Sequence, residues 1–327
     1  MTFIAPGILA GLASAILISV IGFGTGLAVM LYLLAPLPVI IVTLAFDHRS
    51  GLVAGVIGAV AVAMLQGGLV SGLGYLITTA LPAWWLAYLA LLGRPGPSGH
   101  TEWYPLGRLL AWIAGTGALT FFGSIILPGF DFETYRENTR QMAEMVLRAQ
   151  TGTPESAPVP NIGEVPGDEL AARLAGALPI FAGQGFTIIL TFYMWIGARI
   201  VSASGRLLRP WPQISRTIMP REALYTLFAT SLAAIFLDGF TGVLATALTG
   251  AFLMAFALQG LAAIHEMSEG RSGRPFILIL AYMLILLSQG LIFLPLIMFG
   301  LTDTALGIRE RMRANSQGRN GSGPPLT

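Results

Sequence analysis

Residues 174–200 read LAGALPIFAGQGFTIILTFYMWIGARI, and no charged residue occurs between positions 175 and 198. A helix needs roughly 20 apolar residues to cross a hydrocarbon layer about 30 Å thick, so this stretch reads as a membrane span. The composition around it agrees. Of 327 residues, 55% are hydrophobic and 10% charged, against about a quarter charged in a soluble domain. No water-soluble core hides that much apolar surface, and the fold class is all-α, a polytopic helical membrane protein. Large soluble enzymes, secreted disulfide scaffolds and disordered chains are excluded.

The chain has no cysteine and all 18 of its basic residues are arginine. A disulfide frame, a thiolate metal site, a cysteine nucleophile, a Schiff-base lysine and a P-loop lysine are therefore ruled out. A net charge of +2 does not indicate a nucleic-acid partner.

Outward from 174–200, the hydropathy predicts further spans at 4–21, 27–46, 51–66, 69–92, 106–127, 223–237, 241–264 and 276–301, for a count of eight or nine. Ala13-Ser14-Ala15 resembles a signal-peptidase site, but no basic residue precedes it and the apolar run continues to Ile21, as a span does. Pro36 and Pro38 predict a break in the second span. Span 51–66 is short, about 24 Å at 1.5 Å per residue.

The scarce charges are unevenly placed. Between 128 and 175, four arginines meet eight acids, a net −4, whereas loop 199–222 sets five arginines against Glu222 alone, a net +4. Positive loops stay cytoplasmic, which predicts an extracytoplasmic insert and a cytoplasmic amino terminus. Three full crossings after the basic loop would carry the arginine-rich tail outside; if 223–237 only half crosses, the tail returns inside. The expected units are a five-helix bundle (1–128), an outer amphipathic helix with a Pro-rich linker (129–175), membrane helices carrying the basic loop (176–301) and a polar tail (302–327). Within the insert, Asp131 is a plausible N-cap, and Phe132, Tyr135, Met142, Met145, Val146 and Ala149 fall roughly on one helical face.

Polar groups inside spans cost free energy and tend to face a cavity or a bundle interior. Gln66, Gln184, Asp238, Gln259 and Gln289 are the candidates, with Tyr32, Tyr193 and Trp195 as aromatic walls. Gln66, Gln184 and Asp238 fall toward the outer side. A glutamine also bridges helices for about 1 kcal/mol, and an aspartate also ends a helix. Small residues at Gly7, Ala10, Gly11, Ser14 and Ala15 form a stripe that serves either internal packing or docking of a partner helix. Asp47-His48-Arg49 reads as a solvated ion pair at a turn. His265-Glu266 lacks the second histidine of a zinc-protease motif, since position 269 is Glu, and no nucleotide loop is present. The expectation is a protein that is not an enzyme and carries no metal or cofactor. Trp211 between Pro210 and Pro212, amid Arg206, Arg209 and Arg216, suits a headgroup-level anchor.

The run Leu34-Ala35-Pro36-Leu37-Pro38-Val39-Ile40, then Asp47-His48-Arg49-Ser50-Gly51, then Gly55 and Gly58, resembles the substrate-binding S components of energy-coupling-factor vitamin transporters. The whole chain is similar to the YybS-like family of uncharacterised bacterial membrane proteins. The resemblance implies an S-component-like N-terminal bundle over about residues 1–200, in the bacterial inner membrane. It also implies a small-molecule ligand near the outer side, covered by the loop Gly22 to Gly26. It further implies docking through Gly7, Ala10, Gly11, Ser14 and Ala15 onto a transmembrane coupling subunit driven by ATPases. Gln66, Gln184, Asp238, Tyr193 and Gln289 are the ligand-binding candidates. The alternative is a non-transporting scaffold or assembly factor, motivated by the outer insert, and a third reading makes Asp238 the proton site of a carrier.

Overall fold

In lipid the backbone must satisfy its own hydrogen bonds, which leaves helices as the way to bury runs of this kind. The computed structural model describes residues 3–97, 99–154, 156–161, 163–288 and 293–313. The chain opens with α1 (Ile4–Ser19), continued by a 3-10 turn at Val20–Phe23. The second apolar unit is split into α2 (Gly26–Leu33) and α3 (Pro36–Ala45), with Pro36 starting α3 where its missing N–H is harmless. Next come α4 (His48–Leu65), α5 (Leu69–Tyr75), a π-helical turn at Leu76–Ala80, and α6 (Leu81–Ala90). A short antiparallel hairpin, β1 (Gly93–Pro95) and β2 (Thr101–Trp103), leads into α7 (Leu106–Ile126). The insert supplies α8 (Phe132–Thr151). The second half holds α9 (Gly167–Ala203), α10 (Glu222–Phe236), α11 (Gly239–Met267), α12 (Arg274–Leu287) and α13 (Phe293–Leu306).

Among the described residues, seven helical segments are long and apolar enough to cross a membrane: Ile4–Phe23, Gly26–Ala45, His48–Leu65, Leu69–Ala90, Leu106–Ile126, Gly167–Ala203 and Gly239–Met267. They correspond to seven of the nine expected spans. The other two differ in kind. Residues 223–237 form the short α10, and 276–301 is not one helix: α12 ends before Ser288 and α13 begins at Phe293.

Side-chain contacts sort the loops onto two ends of the bundle. Arg206 lies over the Phe46 ring, Arg209 donates to Ala90 O, a Cβ on Gly107 would meet Ile218 O, and Arg309 donates to Ser215 O and Thr217 O. These contacts bring the turn after α3, the turn after α6, the start of α7, loop 204–221 and the segment after α13 to one end, where arginine dominates. At the opposite end Phe240, in the first turn of α11, packs against Phe122, Phe130, Phe132 and Tyr135. This end carries the acidic insert. The α10 helix therefore runs from the basic end, beside Met219, to the acidic end, beside Asp238. At 15 residues, α10 is shorter than the seven segments long enough to cross a membrane.

The last two helices are short as well. Met254 and Ala257 cluster with Leu296 and Ile297, Gly260 lies beside Gly300, and Glu266 pairs with Arg309. Residue numbers rise together along the two helices, so α13 runs parallel to α11. Its contacts cover Met254 to Glu266, the C-terminal half of a 29-residue helix. Each of α12 and α13 has 14 residues, about 21 Å at 1.5 Å per residue. Chain continuity then makes α12–α13 a hairpin that leaves the basic end, reaches the level of mid-α11 and comes back.

The main core joins α3, α6, α7 and α9 through Val39, Ile40, Leu86, Ala87 and Ile113, and a second cluster joins α7, α10 and α11 through Ala114, Ala118, Ala251 and Phe256. The α7 and α9 helices are the seam between the halves. Packing along α1 is tight: a Cβ on Gly7 would lie 2.7 Å from Ser50 O, and one on Gly11 would lie 2.6 Å from Ala54 O. With Ser14 and Ala15 fully buried, the small-residue stripe is occupied by α4. Ala10 packs against the main core. The face of α1 left uncovered by protein is Ile4, Ile8, Leu9, Leu12 and Ile16.

Candidate functional site

Between α2, the π-turn, α7 and α9 lies a cavity of about 500 Å³. The π-turn is the local device that shapes it, because its wider winding interrupts regular packing, as such turns often do at functional positions. Tyr32 comes from α2, Thr78 and Thr79 from the π-turn, Thr120 and Ser124 from α7, and Tyr193 from α9. Among the described residues no charged side chain lines the space. The Thr78 hydroxyl donates to Gly74 O at 2.8 Å, Thr120 to Thr116 O at 2.8 Å and Ser124 to Phe121 O at 2.6 Å. These three oxygens keep lone pairs free to accept. The hydroxyls of Tyr32, Thr79 and Tyr193 have no hydrogen-bond partner among the described residues. A Cβ added to the cavity-lining Gly185 would meet nothing within 4 Å, so the space is open there.

A second cavity, of about 550 Å³, shares Ser124 and Ala182 with the first and lies beneath α8. Its α8 wall presents Thr134, Tyr135, Asn138, Thr139 and Met142. The sequence builds this cover with ordinary helix ends. Asp131 caps the N-terminus, accepting from Glu133 N at 3.2 Å and from the Thr134 hydroxyl. Those donors hold its carboxyl below the ordinary 3.8. Gly152, with φ +68°, closes the C-terminus in a conformation that other residues rarely adopt. One stripe of α8, Thr139, Ala143 and Leu147, is buried against α9 through Ala171. Burial pushes the Tyr135 phenol above its usual value. The expected apolar face is only partly used, since Met142, Met145 and Val146 stay exposed.

The sequence-derived candidates scatter. Tyr193 and Tyr32 line the inner cavity. Gln184 is half-buried in α9 beside Gly185 but does not line it, and Gln66 is exposed where α4 ends. Asp238 is exposed at the start of α11, in a polar cleft with Glu133, Arg136, Glu137 and Arg140. Trp195 lines a different cavity, near the basic end. Gln289 lies outside the described residues. The loop Gly22 to Gly26 covers nothing: Phe23 is exposed and no atom lies near a Cβ built on Gly22, Gly24 or Gly26. Among the described residues α8 covers the neighbouring cavity and contributes no residue to the inner one.

The strongest polar constellation lies elsewhere. Arg309 is 2% exposed, and four of the five N–H groups of its guanidinium donate hydrogen bonds. Nε reaches Asp303 Oδ2 at 2.9 Å, Nη1 reaches Glu266 Oε2 at 3.0 Å and Ser215 O at 2.8 Å, and Nη2 reaches Thr217 O at 2.6 Å and Asp303 Oδ2 at 2.7 Å. Arg313 completes the set on Glu266 at 2.7 and 2.8 Å. Gln259, fully buried, donates to Asp303 and accepts from Met219 N at 2.8 Å and from the Thr304 hydroxyl at 3.0 Å. Two cations face two anions, so the cluster is balanced, and it has the composition of a clasp rather than a reactive centre. Gln259 was visible from the sequence as an intramembrane polar residue. Nothing local marked Arg309 among the tail arginines. Among the described residues no group of three metal-ligating side chains occurs.

No curated protein and no solved structure matches this chain. Residues 12–304 match one family model. The shared region runs from the middle of α1 to near the end of α13 and includes the cavity, the α8 cover and Asp303. The chain belongs to the family described as "Predicted membrane protein (DUF2232)".

Proposed function

We propose that this protein is a membrane-embedded binding subunit, S-component-like in its first half, that takes a small uncharged molecule from the side of the acidic insert. The observation that carries the reading is the hydroxyl-lined cavity between α2, the π-turn, α7 and α9, which shares the wall residues Ser124 and Ala182 with the space under α8. Small-molecule sites are typically 300–1,000 Å³ in size, mostly apolar, with a few placed polar groups. A charged ligand would be buried there without a counter-charge, which is costly. An apolar body bearing carbonyl or hydroxyl groups fits the free phenols of Tyr32 and Tyr193.

The charge rule supports a cytoplasmic basic end. The chain then makes eight crossings plus the α12–α13 hairpin, with the amino terminus and Arg313 on the cytoplasmic side and α8 outside. Native mass spectrometry of the detergent-extracted protein is the direct test. A retained small molecule is expected, lost from Gly185→Leu, which fills the open space. Tyr193→Phe should weaken binding about fivefold, the worth of one hydrogen bond of about 1 kcal/mol. Co-purifying ATPase subunits would support transport. Unrelated partners with no small molecule in the cavity would favour the scaffold reading and sink this one.

A further inference from the structure

Near the basic end, the turn after α6, the first turns of α7 and the last turns of α9 form an apolar groove of about 410 Å³, roofed by residues 207–217 and open along Ile188, Phe192 and Trp195. Its walls are Leu91, Leu106, Leu109, Ile113, Phe192 and neighbours of the same kind, with Thr191 their only hydroxyl below the roof. The rim is of opposite character. Arg209 is half-buried at the roof, and its guanidinium makes one hydrogen bond, to Ala90 O at 3.2 Å. Arg199 lies 4.9 Å over the Trp211 ring, whose edge is part of the same roof. Among the described residues Arg199, Arg209 and Arg216 have no carboxylate within ion-pair distance.

Two features of this place are left uncompensated by the protein alone. The groove presents apolar surface along exposed Ile188, Phe192 and Trp195, which an acyl chain can cover. A half-buried guanidinium with one of five donors bonded lacks the anion that normally compensates its desolvation. Burial already pulls the Arg209 guanidinium below its ordinary value. A single ligand resolves both: an apolar chain in the slot and a phosphate at the rim, which guanidinium binds with paired, charge-assisted hydrogen bonds. The indole of Trp211 sits where interfacial aromatic residues rest against lipid headgroups.

We propose that the space roofed by residues 207–217 is a specific site for an anionic phospholipid, with an acyl chain against Leu109, Ile113 and Phe192 and the phosphate at Arg209. Non-specific attraction of an anionic surface to the arginines of this end needs no cavity. The proposal instead requires one lipid held at fixed stoichiometry, and it stands apart from the ligand cavity on the acidic side.

The test is lipid exchange into the full-length protein, read by native mass spectrometry after equilibration with equimolar phosphatidylglycerol and phosphatidylcholine of identical chains. One retained phosphatidylglycerol is expected, preferred by about tenfold, because the choline cation of phosphatidylcholine neutralises its own phosphate and is repelled by Arg199, Arg209 and Arg216, whereas phosphatidylglycerol keeps its net negative charge. Arg209→Gln should abolish the preference, and Ala198→Phe, which fills the slot from α9, should abolish retention of either lipid. Equal retention of the two lipids by the wild type overturns the proposal without recourse to any variant. So does unchanged retention in Ala198→Phe, which would place the lipid elsewhere. Inorganic phosphate is the control for a chainless anion: thermal stabilisation by phosphate matching that by phosphatidylglycerol would also overturn it.

Discussion

At the scale of single residues, the decisive interactions are those of polar groups that cannot reach water. Removing one partner of a buried, hydrogen-bonded ion pair leaves an uncompensated charge and costs about 3–5 kcal/mol. Arg309→Ala should therefore destabilise by about that amount, measured by thermal unfolding in detergent. Arg311→Ala, at an exposed position four residues after Gly307, should change little. Equal effects of the two would show that the clasp contributes nothing. A smaller system links α1 to α5: Tyr75 donates to the Ser14 hydroxyl at 2.8 Å, which donates to Ala35 O at 2.5 Å. Ser14→Ala should leave the Tyr75 hydroxyl buried without an acceptor and cost about 1–3 kcal/mol. The sequence revealed Ser14 as a small residue of a stripe, but its hydrogen-bonding role depends on Tyr75, 61 positions away.

At the scale of elements, the α11–α13 contact is set by two glycines. A Cβ at Gly260 or Gly300 would lie 2.1 Å from a carbonyl oxygen of the other helix, far inside any tolerable contact, and backbone cannot yield as a side-chain tip can. Gly300→Val should separate α13 from α11, read as increased protease cleavage near the carboxyl end, with α1 to α9 unaffected. Resistance equal to wild type would refute the parallel packing. The α8 cover has its own pH dependence. Asp131 has a lowered carboxyl value when folded, so its capping contribution is present above the unfolded value and is lost as pH falls through the folded one. Fraying of the first turn of α8 is expected below about pH 4 in the wild type and at all pH values in Asp131→Ala. Comparing amide protection of residues 133–136 between the two proteins checks this. Most helices were legible because their apolar runs end at Gly, Pro or charge. The run 276–301 misled for a physical reason: hydropathy sums see an unbroken apolar stretch, whereas the helix stops at Ser288 and α13 turns back along α11.

At the scale of the whole molecule, topology is the claim most open to test, and the absence of cysteine makes it clean. Single substitutions Gln213→Cys and Arg311→Cys should be labelled by an impermeant thiol reagent from the same side of the membrane, and Ala157→Cys from the other. Labelling of positions 213 and 311 from opposite sides would eliminate the α12–α13 hairpin. The charge pattern pointed to a shared side for the basic loop and the tail and left open whether 223–237 crosses fully. Charge reports which side a loop occupies; it carries no information on which helix fails to traverse.

Composition and periodicity alone determined that the chain is a helical membrane protein, where most of its helices lie and which end is basic, because each follows from local transfer energies summed over about 20 residues. The tertiary structure decided what the polar residues do. Gln66 and Asp238 face outward, Tyr32 and Tyr193 meet across a cavity, and Arg309 closes a clasp on a loop more than 90 positions earlier. Those outcomes depend on which helices become neighbours, and van der Waals packing of small residues and distant hydrogen bonds settles that, leaving no mark in any local window of sequence.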